Sequence, residues 1–591
     1  MQIRYRNKGL ERLLIAVNIL ACAAVAASFV CLFGYEKPLL PENFLYVAQF
    51  VLLFIFIIEK ALRFINAESR PDFTRANWFE LPLFILLIII LVSAWVVAGR
   101  IKLSPVQNTA VCIYLVLQVV TKSCRTVVNM AAAGRNPTKT MALSFLVLIF
   151  VGSSLLTLPK AGADRNVPIS FIDALFTATS ATCVTGLTAK NPGSDFSLMG
   201  QLIILTLIQL GGLGIVIFGA VFALLLGQAL TLRESGAMQD LLSTQTLSKI
   251  GNMIAFIFGF TILIETIGAL SLFGTWNTDN IHDQWFYSVF HSISAFCNAG
   301  LSLFDNSFIQ YNRSWQIYIV VCPLIILGGL GFSVLYDIAN ICTDKAKLLY
   351  KRFFQKQSFF ADRSRRQFRL QSKIVLTVSA VLIILGAGGI FLFEHYSAGA
   401  GESHSIGILD SIFQSVTART AGFNTVDIGQ LSASSRFVLI LLMFVGGSPG
   451  STAGGIKTVT LAVIVMSVLA ALRKRQEVEI FRRSVRLAIV GRAITVTMLF
   501  VLVLFTAIFA LSITERANGF DLSQISFEAS SALGTVGLST GITPHLTTAG
   551  KLIIIAVMLI GRLGPMTLLA SLAFNIKPAR YNYPEEAIIV G

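Results

Sequence analysis

Long uncharged apolar runs alternate with short polar links along almost the whole chain. A helix crossing hydrocarbon needs about 20 apolar residues, whereas a barrel strand shows about ten of alternating polarity. The runs here are continuous, and they predict helical spans at 13–33, 44–58, 78–98, 106–120, 141–158, 198–226, 250–273, 318–341, 374–393, 437–466, 493–513 and 552–574. The pattern therefore predicts an all-α polytopic membrane protein with about twelve crossings. The first run follows Arg4, Arg6, Lys8 and Arg12 and exceeds a signal-peptide apolar core in length, so it is read as a retained span.

Between the later spans lie four segments that overlay on one another: SATCVTGLT around Gly186, SAFCNAGLS around Gly300, TARTAGFNT around Gly422 and SALGTVGLS around Gly537. The glycines are 114, 122 and 115 residues apart, and each precedes a bulky apolar residue: Leu187, Leu301, Phe423 or Leu538. A phenylalanine stands ten residues before the glycine in three copies (Phe176, Phe290, Phe527) and nine before it in the third (Phe413). A second echo starts 25, 28, 24 and 24 residues after these glycines: GGLG at 211–214, GGLG at 328–331, GGSPG at 446–450 and GRLG at 561–564. Glycine in membrane helices commonly serves close packing, and packing is the reading of the GGLG copies. The first set differs, because it recurs after short segments of mixed polarity.

Each repeat thus reads as a span, a half-helix with a glycine loop, and a second span. The half-helix and loop are too short to cross and must dip in and return. Irregular backbone at membrane depth is tolerated only inside protein or along an aqueous path. Four such loops around one axis would turn backbone carbonyls toward a common centre, as a cation filter requires. Half-helices entering from outside would aim their partly negative C-terminal ends at the ion, with Asp173 and Asp410 at the opposite ends.

Composition closes off other classes. The 591 residues are 55% hydrophobic and 13% charged, against about 25% charged in soluble chains; the mean hydropathy is +0.77. The net charge of +16 lies between the apolar runs, so it is a topology signal and not a nucleic-acid footprint. Basic clusters at the N-terminus, 60–75, 122–139, 345–373, 473–492 and 577–580 fall in alternate links, which places both termini on the cytoplasmic side of the membrane. Eight cysteines and five histidines form no metal-ligand spacing. An intramembrane enzyme would need clustered nucleophilic, histidine or acidic residues at membrane depth, and none are present. A receptor or scaffold has no use for four matched re-entrant loops.

From about Met141 onward the chain resembles the Trk/Ktr/HKT superfamily, specifically the TrkH/KtrB-type pore subunit of bacterial potassium uptake systems. The resemblance rests on the S/T-A-x-x-x-x-G segments and on the stretch GGSPGSTAGGIKT. It implies four pseudo-symmetric M1-P-M2 units around a central pore, a homodimer, a cytoplasmic nucleotide-binding regulatory subunit of TrkA/KtrA type, and potassium as the transported ion with no bound cofactor. The expected division is 1–138 for an extra four-helix region and 139–591 for the pore, with repeats at about 139–245, 246–345, 370–475 and 488–591. In that family a glycine in all four loops goes with potassium permeation and a serine in the first with sodium preference. Gly186, Gly300, Gly422 and Gly537 comply. The candidate filter residues are Val184, Thr185 and Gly186; Asn298, Ala299 and Gly300; Thr420, Ala421 and Gly422; and Thr535, Val536 and Gly537. A coupled symporter, with sodium or protons moving with potassium, and a sodium-permeable transporter are the alternatives.

Charges within spans default to functional roles. Arg562 replaces the second glycine of the echo, where a fixed cation would oppose a passing one, so it is assigned to a barrier or gate; the alternative is a salt bridge to a buried carboxylate. Gly446, Gly447, Ser448, Pro449, Gly450, Ser451, Thr452, Gly454, Gly455 and Lys457 interrupt the third unit's second span with a composition no straight helix survives. By resemblance this is the loop that occludes the pore. Arg419 is expected to anchor its pore loop to a carboxylate. Asn298 offers its carbonyl to the ion and its side chain to brace the loop. Glu265 is read as a polar contact between helices and is the one candidate coupling site for a symporter; His291 is read as structural. The basic stretch 343–373, with ten Lys or Arg, could set topology, touch anionic lipid or dock a regulator. In the N-terminal region Phe56, Glu59, Arg63, Trp78 and Glu80 resemble two helices of a voltage-sensor bundle. The fourth span carries only Lys122 and Arg125 near its inner end, so the region is read as an accessory bundle.

Overall fold

The computed structural model describes residues 6–35, 37–76, 108–119, 122, 137–164, 168–214, 250–278, 280–354, 367–398, 406–475, 477–566 and 569. Each predicted span overlaps a described helix except the one at 78–98, which lies outside the described residues; parts of 198–226 and 552–574 lie outside them too. Helices α1 (Lys8–Phe33), α2 (Glu42–Asn66), the short α3 (Arg70–Ala76) and α4 (Asn108–Val119) come first. Four units follow: α5 (Pro137–Leu156), α6 (Phe171–Cys183) and α7 (Leu198–Leu213); then α8 (Ile250–Leu272), α9 (Ile281–Phe296), α10 (Cys322–Leu330) and α11 (Phe332–Phe354). The third has α12 (Leu370–Ala398), α13 (Ile408–Thr417), α14 (Ala433–Phe444) and α15 (Thr458–Leu472), and the fourth α16 (Leu487–Thr514), α17 (Leu522–Gly534) and α18 (Thr548–Leu563). Five described helices are long and apolar enough to cross a membrane, six if the bent pair 317–330 and 332–347 is one span.

The burial pattern is that of a protein dissolved in lipid. On α16, Met498, Leu502, Phe505, Phe509 and Ile513 form an exposed apolar stripe at helical spacing. On α6 the small polar residues Thr177, Thr179, Ser180 and Thr182 are fully buried. Each unit's first helix packs on its own short helix, and the inner helix of each unit packs on the short helix of the next: α7 on α9, α10 on α13, α14 on α17, and α18 back on α6. The last contact closes the ring. The repeat phenylalanines Phe176, Phe290, Phe413 and Phe527 are completely buried behind the loops they precede. Truncating a buried phenylalanine costs about 3–5 kcal/mol, so their recurrence marks packing that holds each short helix in place.

The second spans are not the continuous helices expected at 198–226, 318–341, 437–466 and 552–574. In three units the helix stops at the last glycine of the echo, with φ at +81° for Gly214, +88° for Gly331 and +82° for Gly564. In the second unit the chain then turns by 106° into α11. A side chain at Gly331 would sit 2.7 Å from the Pro449 carbonyl, so a neighbouring unit occupies the bend. The first glycine of the echo does serve packing: side chains at Gly211, Gly328 and Gly561 would strike the carbonyls of Thr182, Phe296 and Leu533 at the ends of their own short helices. The third unit breaks from 445 to 457 instead.

Two further differences concern the basic links. The stretch 343–373 is helical as far as Phe354, because α11 runs on beyond its apolar part, and α12 starts at Leu370; residues 355–366 lie outside the described set. Between α15 and α16 a small antiparallel hairpin pairs Val478–Ile480 with Arg483–Val485, which the helical reading did not anticipate.

In the N-terminal bundle, Glu59 is 2% exposed and ion-paired to Arg63 at 2.6 Å and to Lys122 at 3.3 Å, with Asn18 donating to it at 3.1 Å. The Lys122 ammonium lies 4.2 Å from the centre of the Phe56 ring. Trp78, Glu80 and Arg125 lie outside the described residues. The bundle meets the first unit where Lys160 N–H donates to the Gly34 carbonyl at 3.3 Å.

Candidate ion filter and gate

Three short helices end in the same way. Val184, Asn298 and Thr535 adopt left-handed φ of +57°, +59° and +50°, and the next N–H reaches back five residues: Thr185 to Ser180 O at 2.8 Å, Ala299 to Ser294 O at 2.7 Å, Val536 to Ser531 O at 2.8 Å. This is a Schellman-type termination, which spends the last helical carbonyls locally and throws the chain out of the helix. The third loop is one residue shorter, as the spacing of Phe413 implied. Ala421 N–H reaches back only four residues to Thr417 O at 2.9 Å, and Thr420 takes φ +88°. The deletion is absorbed in the turn and the following glycine keeps its place.

The four glycines meet. All have positive φ, at +97°, +66°, +81° and +94° for Gly186, Gly300, Gly422 and Gly537. A side chain on Gly186 would lie 2.6 Å from Ala299 O and 3.2 Å from the Cα atoms of Gly300 and Gly537. One on Gly300 would strike Ala421 O and lie 2.8 Å from Gly422 Cα; one on Gly422 would lie 2.5 Å from Val536 O; one on Gly537 would strike Thr185 O. Each glycine thus faces the carbonyl that precedes the next glycine, in chain order, until the fourth returns to the first. Here glycine is required twice over, by its φ and by the closeness of its neighbours.

Hydroxyls hold the ring from behind. Ser180 and Ser531 accept from the N–H groups of Gly186 and Gly537, each at 3.0 Å, while Ser294 and Thr417 donate to the carbonyls of Leu301 and Phe423 at 2.8 and 2.7 Å. Leu187, Leu301, Phe423 and Leu538 are buried on the far side of the turns.

The ring forms the floor of a cavity of about 750 Å³ to which all four glycines contribute. Its charged lining residues are Asp305, Glu394, Asp410 and Asp427; no Lys, Arg or His lines it among the described residues. Asp410 accepts from Tyr318 Oη at 2.6 Å and Thr425 Oγ1 at 2.7 Å, while Asp173 pairs with Lys551 at 2.7 Å. Sequence reasoning missed Asp305, Asp427 and Glu394. The repeat alignment carried a signal for the first two, because Asn191, Asp305 and Asp427 each stand five residues after a ring glycine.

On the other side of the ring, the segment 445–457 passes beneath it and touches two other units. Ser448 N–H donates to Gly329 O at 3.0 Å and Phe332 N–H to Gly450 O at 2.9 Å. The Asn298 amide and the Thr452 hydroxyl lie 3.2 Å apart, and a side chain at Gly454 would strike Thr535 Oγ1. Lys457 Nζ turns back onto Ala453 O at 2.8 Å and Gly454 O at 3.3 Å. Arg562 forks between this segment and the first unit, donating to Thr452 O through Nη1 and to Gly211 O and Gly212 O through Nη2, the last at 3.3 Å. Among the described residues it pairs with no carboxylate.

The remaining expectations divide. Arg419 is anchored, but to Ser379 O at 3.3 Å and Ser379 Oγ at 3.1 Å on α12, not to a carboxylate; the serine backbone is simply what the guanidinium reaches from this turn. Glu265 accepts from Gln209 Nε2 at 3.3 Å, a contact between α8 and α7. His291 bonds Tyr287 O at 2.8 Å and Ser302 Oγ at 3.1 Å, within the second unit.

A helical multi-pass membrane protein whose units close a ring of backbone under an acidic vestibule belongs to the class of cation transporters. The chain belongs to the TrkH family: the family model described as "Cation transport protein" matches residues 102–581. It is 38% identical over 463 residues to the Ktr system potassium uptake protein B of Bacillus subtilis, covering 77% of this chain and 97% of that protein. It is 37% identical over 475 residues to the potassium/sodium uptake protein NtpJ of Enterococcus hirae, with the same coverage. The crystal structure of the potassium transporter TrkH from Vibrio parahaemolyticus superposes with a TM-score of 0.56 at 17% identity, over 85% of this chain and 98% of that one, a likeness of fold.

Proposed function

We propose that the chain takes up potassium across the cytoplasmic membrane through a gated, channel-like pore driven by the ion's electrochemical gradient. The observation that carries this reading is the closed ring of Gly186, Gly300, Gly422 and Gly537, each facing the carbonyl of the next loop. The candidate filter is the set 184–186, 298–300, 420–422 and 535–537, whose backbone oxygens would replace an ion's water. The short helices end at the ring, so their partly negative C-terminal ends add to its attraction. The acidic vestibule raises the local cation concentration before entry.

The candidate gate is the segment 446–457 with Arg562. The loop lies under the ring, and Arg562 and Lys457 place positive charge on the exit path. The pore domain is 139–591, with 1–138 as an accessory bundle; both termini are cytoplasmic in the inner membrane. A homodimer and a cytoplasmic nucleotide-binding regulatory subunit, by family resemblance, complete the system.

A second reading is sodium permeation alongside potassium, favoured by the likeness to NtpJ, which is named for both ions. A coupled symporter would use Glu265, and its contact with Gln209 supports an interhelical role instead. Proteoliposomes with a potassium gradient and no sodium or proton gradient test all three. Potassium flux that exceeds sodium flux is expected. Absence of flux until a second gradient is imposed would overturn the channel-like reading.

A further inference from the structure

The residue after each repeat phenylalanine is polar and completely or almost completely buried: Thr177, His291, Gln414 and Glu528. In two units this side chain reaches the residue two places after the ring glycine. His291 Nε2 lies 3.1 Å from Ser302 Oγ and accepts from Leu303 N–H at 3.3 Å. Glu528 Oε1 accepts from Ser539 Oγ at 2.6 Å, from Thr540 N–H at 3.0 Å and from Thr540 Oγ1 at 3.4 Å, while Oε2 accepts from Thr543 Oγ1 at 2.8 Å. The whole outer turn 539–543 is thus gathered onto one carboxylate that is 1% exposed. No cation pairs with it among the described residues.

The turn so held is part of the candidate ion path. Gly537, Ser539, Gly541 and Thr543 line the vestibule. Gly537 is pinned from behind by Ser531 and, one residue past Leu538, by Ser539 on Glu528. Discrimination between two alkali ions by carbonyls depends on how many oxygens face the ion and how firmly they are held. We propose that Glu528 is a specificity-determining positioning residue, which keeps the fourth loop in register with the ring through the hydrogen bonds of its outer turn. This rests on the permeation reading above and names what sets its selectivity.

Glutamine is the informative substitute. Its Oε1 can accept the same three donors, and its amide N–H can donate to Thr543, whose hydroxyl then donates to Ser539 Oγ 3.0 Å away. Glu528→Gln therefore keeps the brace and removes the charge, whereas Glu528→Ala removes both. The measurement is the ratio of potassium to sodium flux in vesicles of purified full-length protein, a ratio independent of how much protein is active. Glu528→Gln is expected to stay within about threefold of the parent, and Glu528→Ala to fall by about tenfold, the equivalent of 1.4 kcal/mol. Thr543→Val, which deletes one donor and keeps the buried carboxylate, serves if the alanine variant does not fold; an intermediate loss is expected. A parental ratio in Glu528→Ala or Thr543→Val overturns the proposal, and so does a loss in Glu528→Gln as large as in Glu528→Ala. Parental protein without gradient-driven potassium flux is a different result, which would sink the permeation reading itself.

Discussion

Removing the Arg562 guanidinium is the sharpest perturbation available beneath the ring. The side chain contributes a fixed positive charge and a physical tie, because its two ends hold Thr452 O in the candidate gate and Gly211 O and Gly212 O in the first unit. A monovalent cation passing about 4 Å from a fixed unit charge meets about 1 kcal/mol of opposition in bulk water and about 4 kcal/mol at an effective dielectric constant of 20. With 1.4 kcal/mol per factor of ten, Arg562→Ala is expected to raise ungated flux by between about fivefold and about a thousandfold. Losing the tie acts in the same direction, since hydrogen bonds from a charged donor contribute about 1.5–3 kcal/mol each. Lys457 remains nearby as a second cation and holds the effect below the upper figure; the double variant with Lys457→Ala should add to it. Arg562→Lys keeps the charge but not the planar fork, so it should fall between parent and alanine. The assay is potassium uptake into proteoliposomes without a regulatory subunit. Flux in Arg562→Ala within twofold of the parent would refute both the barrier and the tie.

Three further outcomes are expected. Gly300→Ala places a methyl against Ala421 O and 2.8 Å from Gly422 Cα at φ +66°, so potassium-over-sodium selectivity should drop; an unchanged flux ratio would count against the ring as the filter. Deleting 448–454 should open a constitutive leak, measured as uptake without regulator, and normal gated uptake after the deletion would remove this segment from the gate. Glu59→Ala removes the buried carboxylate that pairs with Arg63 and Lys122 in the N-terminal bundle, while Arg63 keeps Glu11 at 3.7 Å, and breaking a buried pair costs about 3–5 kcal/mol. Its expected signature is a lower melting temperature with parental flux selectivity, and a shifted flux ratio would show that the bundle takes part in permeation.

Much of the ring was legible because its physics is local. A glycine that must take positive φ beside a neighbour's carbonyl cannot be exchanged, so it recurs at all four positions, and the one-residue shortfall at Phe413 survives as a shorter turn at Thr420. The acids at 305 and 427 were within reach of the same alignment, extended five residues downstream. Glu528 was not, because the neighbouring copies carry Thr177, His291 and Gln414 at that place and nothing in a single sequence says which of them braces a turn. Arg419 was placed correctly as an anchor and given the wrong partner, since a serine carbonyl leaves no trace in a charge pattern. The second spans were read as continuous because hydropathy is blind to a 106° bend at Gly331.

From sequence alone came the helical membrane architecture and its fourfold repetition. Hydrocarbon admits only long apolar helices or closed barrels of alternating strands, and a backbone turn at that depth is tolerated only in a protected setting, so both constraints are written residue by residue. Folding in three dimensions decided the order of the units around the axis, the passage of residues 445–457 beneath their neighbours, and the carbonyls that receive Arg562 from chain positions 110 and 351 residues away. Such contacts depend on how helices rotate and pack against one another, and that is a property of the assembled ring and not of any one segment.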